Sequence, residues 1–141
     1  MAKVIGSSFE YSDERMDALM SEYQRYIASC SHIYGPAVFE HIVNQPCRRF
    51  WVSNIRAMVV IADMLRGRDL GSMRPSKREM FREIFDRVLV MRAKHPGLSL
   101  YKLVSMVVEQ PAPKFYLSPS SAKIMICKAR KEWYRKRMQK L

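Results

Sequence analysis

The sequence is short of the features that mark secreted proteins, membrane proteins and most enzymes. Its three cysteines, Cys30, Cys47 and Cys127, form an odd set without paired spacing. Such a set argues against a disulfide frame and for free thiols in a reducing compartment. No run approaches 18 consecutive apolar residues, and the opening MAKVIGSSFEYSDERMD has no basic-then-apolar architecture. Neither a membrane span nor an export signal is expected, and a cytoplasmic protein is. Only five glycines are present, none in a phosphate-cradling loop, and no Ser/His/Asp order or metal-spaced His pair occurs. The expectation is a protein that is not an enzyme, with no cofactor, no metal and no small-molecule substrate.

Acidic residues are the other shortage. The 141 residues contain 13 Asp and Glu against 25 Lys and Arg, a net charge of +12. Residues 1–70 hold eight of each sign, whereas residues 71–141 hold seventeen cations and five acids. An excess confined to one half points to a polyanionic partner, nucleic acid being the commonest; an acidic membrane or protein is the other kind.

What is present in quantity is repetition. IVNQPCRRFWVSNIRA, residues 42–57, returns 65 residues later as VVEQPAPKFYLSPSSA, residues 107–122. Val43/Val108, Gln45/Gln110, Pro46/Pro111, Phe50/Phe115, Ser53/Ser118 and Ala57/Ala122 are identical pairs, and Arg49/Lys114, Trp51/Tyr116 and Val52/Leu117 are alike. The match extends upstream without a gap: Met16/Phe81, Leu19/Ile84, Met20/Phe85 and Tyr23/Val88 fall at the i, i+3, i+4, i+7 spacing of one helical face. It lapses at Ile27/Arg92.

Local signals divide each repeat into three helices. Ser12 with Asp13 and Glu14, and the Ser76–Glu79 capping box after Pro75, open first helices near 13–30 and 77–94. Second helices follow near 36–44, with Pro36 in the first turn, and near 99–109, with Ser99 as cap. Pro46 and Pro111 stop them, because the residue before proline is driven from helical geometry. Ser53 and Ser118 cap the third helices, and the pairs Phe50-Trp51 and Phe115-Tyr116 anchor the intervening corner in the core. The fold class expected is all-α, about six helices as two tandem three-helix, helix-turn-helix-like units. The neutral unit is 1–66, a scaffold or dimerisation module; 67–75 is a linker; 76–141 is the basic unit.

The third helices differ most in surface. SNIRAMVVIADMLRG is apolar around most of its circumference, with Ile55, Met58, Val59, Val60, Ile61, Met64 and Leu65. It calls for burial on more than one side, between the units or in a homodimer through the first unit. The last helix keeps one stripe, Ala122, Ile126, Ala129 and Trp133, which is expected to pack in the core. Lys123, Arg130 and Arg137 flank the stripe on one side; Lys128, Lys131 and Arg135 lie on the other. From Lys128 onward, seven of fourteen residues are cationic and one, Glu132, is acidic.

A basic third helix behind a short second helix resembles helix-turn-helix DNA-binding domains, although the turn of roughly eight residues exceeds the three or four of that motif. The resemblance implies that Ser120, Ser121 and Lys123 face base edges while Lys128, Arg130, Lys131, Arg135 and Arg137 neutralise phosphates. Lys114 and Lys136 complete the candidate nucleic-acid-binding set, with duplex DNA the favoured partner. The stretch QPAPKFYLSP, within residues 77–130, resembles small uncharacterised phage and mobile-element proteins, which implies a phage or mobile-element origin and no particular activity; with the basic unit, the role expected is a regulator or architectural factor of such a genome. A helical adaptor or phage structural protein, virion-associated, is the alternative; RNA or single-strand binding is the third.

Two other constellations have plainer readings. Cys30, His32, His41 and Cys47 match no familiar zinc spacing and read as unconnected residues. Glu79, Glu83 and Asp86 share a helix face, but Lys77, Arg78, Arg82 and Arg87 beside them make a solvated ion-pair surface the expectation.

Overall fold

A computed structural model, which describes residues 11–33 and 35–139, shows six α-helices and no β-strand among them. They are α1 (Ser12–Ser29), α2 (Gly35–Val43), α3 (Asn54–Leu65), α4 (Pro75–Lys94), α5 (Leu100–Val108) and α6 (Pro119–Gln139). The ends of the expected units, residues 1–10 and 140–141, lie outside the described residues. None of the helices is long and apolar enough to cross a membrane.

The 65-residue offset of the sequence reappears in the backbone. α2 and α5 begin and end 65 residues apart, α3 and α6 begin 65 apart, and α1 and α4 end 65 apart. Capping explains much of this register. The Ser53 hydroxyl accepts the Arg56 N–H at 3.1 Å and the Ser118 hydroxyl accepts the Ser121 N–H at 3.1 Å, so both third helices start from the same device. Ser99 caps α5 by accepting the Lys102 N–H at 3.2 Å. The first helices are begun otherwise. α4 opens with Pro75 in its first turn behind Arg74, with no side-chain cap, and the expected Ser76–Glu79 box does not form. The Glu79 carboxylate instead pairs with Lys114, brought to it by the second corner. Nor does α1 have a side-chain cap; Tyr11 stands at its N-cap and Ser12 is its first residue.

The corners, residues 44–53 and 109–118, meet each other. Cys47 and Ala112, counterparts in the repeat, form an antiparallel bridge in which the Cys47 N–H donates to the Ala112 carbonyl at 3.0 Å and the reverse bond is 2.9 Å. The Phe50 N–H donates to the Val108 carbonyl at 3.0 Å, and the Phe115 N–H to the Val43 carbonyl at 2.9 Å. Exchanging every residue for its counterpart turns each bond of these pairs into the other. A pseudo-twofold axis therefore runs between Cys47 and Ala112.

Packing follows the same symmetry and crosses the repeat boundary. α3 packs on α4 and α5, while α6 packs on α1 and α2. Among the described residues neither third helix packs on the first two of its own repeat. The spatial units are thus α1–α2–α6 and α4–α5–α3, joined by exchanged third helices. One apolar cluster spans both, with Leu19, Ile42, Phe50 and Ile61 from the first half and Phe81, Ile84, Leu103 and Ile126 from the second. Burying each such side chain contributes about 1.5–3 kcal/mol. All four corner aromatics are buried, and Phe50 stacks on Tyr116 across the axis with ring centroids 6.0 Å apart.

Exchange makes each half incomplete. Residues 1–66 and 76–141, expressed separately, are expected to lack cooperative thermal unfolding, and mixing them to restore helical circular dichroism and one cooperative melt. Independent cooperative melts of the separate halves would contradict the exchange.

At the axis, the buried Cys47 thiol donates towards the Arg49 and Lys114 carbonyls at 3.3 and 3.4 Å. Burial pushes it from 9.0 up to about 11, and burial, with Glu83 and Glu79 adding, pushes the Tyr116 phenol up to about 12. Both groups hold their protons more tightly folded than unfolded, so stability is fully present below about pH 9 and is lost as pH rises towards the folded values. Denaturant titrations at pH 8 and 10.5 should show this loss, and it should be smaller in Cys47→Ala. Equal losses in the two proteins would refute the contribution of the thiol.

Candidate nucleic-acid interface

The two third helices start alike and stop differently. α3 ends at Leu65 because Gly67, at φ 83°, takes the left-handed conformation that closes a helix, with its N–H donating to the Met64 carbonyl at 3.0 Å. The counterpart of Gly67 is Glu132, which favours continuation, and α6 runs on to Gln139. Residues 131–139 are all exposed. At 1.5 Å per residue they form an arm about 14 Å long beyond the body.

This arm corrects one expectation. Ala122 and Ile126 are buried and Ala129 is half-buried, but Trp133, on the same stripe, is 54% exposed. The body ends near Arg130, whose guanidinium reaches the Tyr23 hydroxyl on α1 at 3.3 Å. Beyond it Trp133 meets residues of its own helix, the Tyr134 ring at 5.1 Å and the Arg137 guanidinium 5.0 Å over its own ring.

The candidate cations of α6 are Lys123, Lys128, Arg130, Lys131, Arg135, Lys136 and Arg137. All are exposed, and among the described residues none forms an ion pair with a carboxylate. Ser120 is exposed in the first turn; Ser121, beside it, takes a hydrogen bond from the Ser118 hydroxyl at 3.0 Å. Lys114 stands apart from this set. It is half-buried in the corner, its charge is matched by Glu79, and it lies 5.6 Å from the centre of the Tyr116 ring. Ten residues separate α5 from α6, a longer connection than the sequence reading allows.

On α3 the apolar surface is shared between two faces. Ala57, Val60 and Ile61 are buried against the other half, whereas Ile55 and Val59 remain 46% and 44% exposed. Among the described residues nothing buries the second side. Two of the three carboxylates of α4 are held by cations, Glu83 by Arg87 at 3.0 Å and Glu79 by Lys114, while Asp86 forms no ion pair among the described residues. Among the described residues no three His, Cys, Asp or Glu side chains gather as a metal site.

One cluster is absent from the sequence reading. Arg15, Arg56, Arg74 and Lys77, from α1, α3 and the start of α4, line a cleft of about 610 Å³. Its signal in the sequence is a mismatch inside the repeat, since Arg15 and Arg56 stand opposite Met80 and Ser121. No family model matches this chain, no curated protein is found to be similar to it, and no solved structure matches its fold.

The stripe residues separate packing from presentation. Ile126→Ala should lower unfolding stability by about 2–5 kcal/mol, and Trp133→Ala should leave it within about 0.5 kcal/mol. Urea denaturation compares them, and a loss on Trp133→Ala close to that of Ile126→Ala would refute the solvent-exposed arm.

Proposed function

We propose that the chain binds duplex DNA without catalysing a reaction, as a regulator or architectural factor of a phage or mobile-element genome. The observation that carries this reading is the row of unpaired cations on α6, continued on an arm that leaves the body. A helix about 10–12 Å across suits the major groove, which is about 12 Å wide. Ser120, Ser121 and Lys123 at the start of α6 are assigned to base edges. Lys128, Arg130, Lys131, Arg135, Lys136 and Arg137 are assigned to phosphates, where charge acts alike on every sequence. Lys114 is left out, because Glu79 already balances it.

A second reading has its own observation. The open Ile55 and Val59 face of α3 suits a protein contact, either a second copy or a component of a helical assembly. The two readings use different helices, so substitutions separate them. Val59→Asp should abolish self-association seen by light scattering while sparing DNA affinity.

For DNA, roughly six phosphate contacts would lower affinity about a thousandfold between 50 and 200 mM salt. Replacing Lys131, Arg135, Lys136 and Arg137 with alanine should flatten the slope of log affinity against log salt by about three to four. Gel shifts on random and selected duplexes measure both quantities. Affinity indifferent to salt, or a slope unchanged by the four substitutions, would remove DNA from the account.

A further inference from the structure

We propose that the cleft on the pseudo-twofold axis is a phosphate-binding site, with Arg15, Arg56, Arg74 and Lys77 as its cationic walls. The inference stands independently of the DNA reading. The cleft straddles the axis, since its lining includes both members of the counterpart pairs Arg15/Met80, Trp51/Tyr116 and Arg56/Ser121. Where the halves are alike it has a shared aromatic floor; where they differ, the differences supply charge.

Among the described residues that charge has no internal balance. Among the described residues Glu79 is the one carboxylate in the lining, and it is held by Lys114. Among the described residues none of the four cations forms an ion pair or a side-chain hydrogen bond. Arg15 is the sharpest case. Its side chain is partly buried, burial lowers its basicity, and its Nε is enclosed without an acceptor. Withdrawing a guanidinium from water without a counter-charge opposes folding, and an entering oxyanion supplies both the charge and the acceptor oxygens.

Other features select the ligand. The first turn of the 20-residue helix α4 opens on the cleft through Pro75, Ser76 and Lys77, and no side chain caps it. Uncapped first-turn N–H groups and the positive end of the helix dipole add to the attraction of an anion. Three Arg forks match the paired oxygens of phosphate better than they match a halide. A volume of about 610 Å³ accommodates a nucleotide-sized molecule. The phosphate has two sources, a free phosphorylated small molecule or the backbone of a nucleic acid lying beside Ser118 and Ser121, which also line the cleft.

Calorimetric titration with inorganic pyrophosphate and with ATP at 150 mM salt tests the site. Saturable one-to-one binding is expected, weakened at least tenfold by Arg15→Met and by Arg56→Ser, each of which installs the counterpart residue. The Lys131, Arg135, Lys136 and Arg137 alanine variant should bind pyrophosphate as the native chain does. Ligand-free Arg15→Met should melt no lower than the native protein and gain nothing from pyrophosphate. The absence of saturable binding, or its loss in the arm variant with retention in both Arg variants, would overturn the proposal. So would an Arg15→Met protein that melts well below the native one without ligand. A 20-bp duplex identifies the source: displacement of ATP by the duplex assigns the cleft to backbone phosphate, and simultaneous binding assigns it to a free ligand. A duplex that fails to bind where pyrophosphate succeeds removes the DNA reading and leaves the cleft.

Discussion

The fold depends on four backbone hydrogen bonds at one place. A corner between two helices leaves amide and carbonyl groups that must find partners once buried. Here each corner supplies the partners of the other, Cys47 with Ala112, Phe50 with Val108 and Phe115 with Val43. Because the donors and acceptors are counterparts, the pairing demands a twofold relation between the repeats. That relation directs each third helix onto the opposite half. Arg87 secures the arrangement, donating to the Pro111 carbonyl at 2.9 Å while its guanidinium lies 5.0 Å over the Phe50 ring from the other corner.

Much of the local structure was legible because its causes are local. Ser53, Ser99 and Ser118 cap helices from positions adjacent to them, and Pro46 and Pro111 mark the ends of the short helices. The apolar stripes of α1 and α4 showed which faces would be inward. They did not show against what, since amphipathicity is a property of one helix and exchange is a property of two. Trp133 failed for the same reason: its spacing continues the stripe, but where the body ends depends on α1. Ser76 and Glu79 formed a good capping pattern that lost to a more distant partner, Lys114, and to proline at the helix start. The cleft cations leave no mark on the agreement between repeats, because Arg15 and Arg56 are places where the repeats disagree.

The symmetric frame and the asymmetric surface do different jobs. Core positions tolerate exchanges such as Leu19 for Ile84 or Trp51 for Tyr116, because volume and position on the stripe are kept. Charge is free to diverge wherever side chains face water, and α3 and α6 have diverged most there. The same axis that fixes the core places both corners around the cleft, so a site shared between halves needs no additional scaffold. Its cations come from elements already anchored by the corners.

A further consequence lies in the stop at Gly67. Removing a left-handed residue from a helix end alters no core contact, so the length of a terminal helix varies at little thermodynamic expense. In the second repeat glutamate fills that place, and the helix that is an internal strut in the first half is an outrigger in the second. Few differences between two repeats separate supporting from reaching so economically, and this one sits outside the region where mutation would be punished by unfolding.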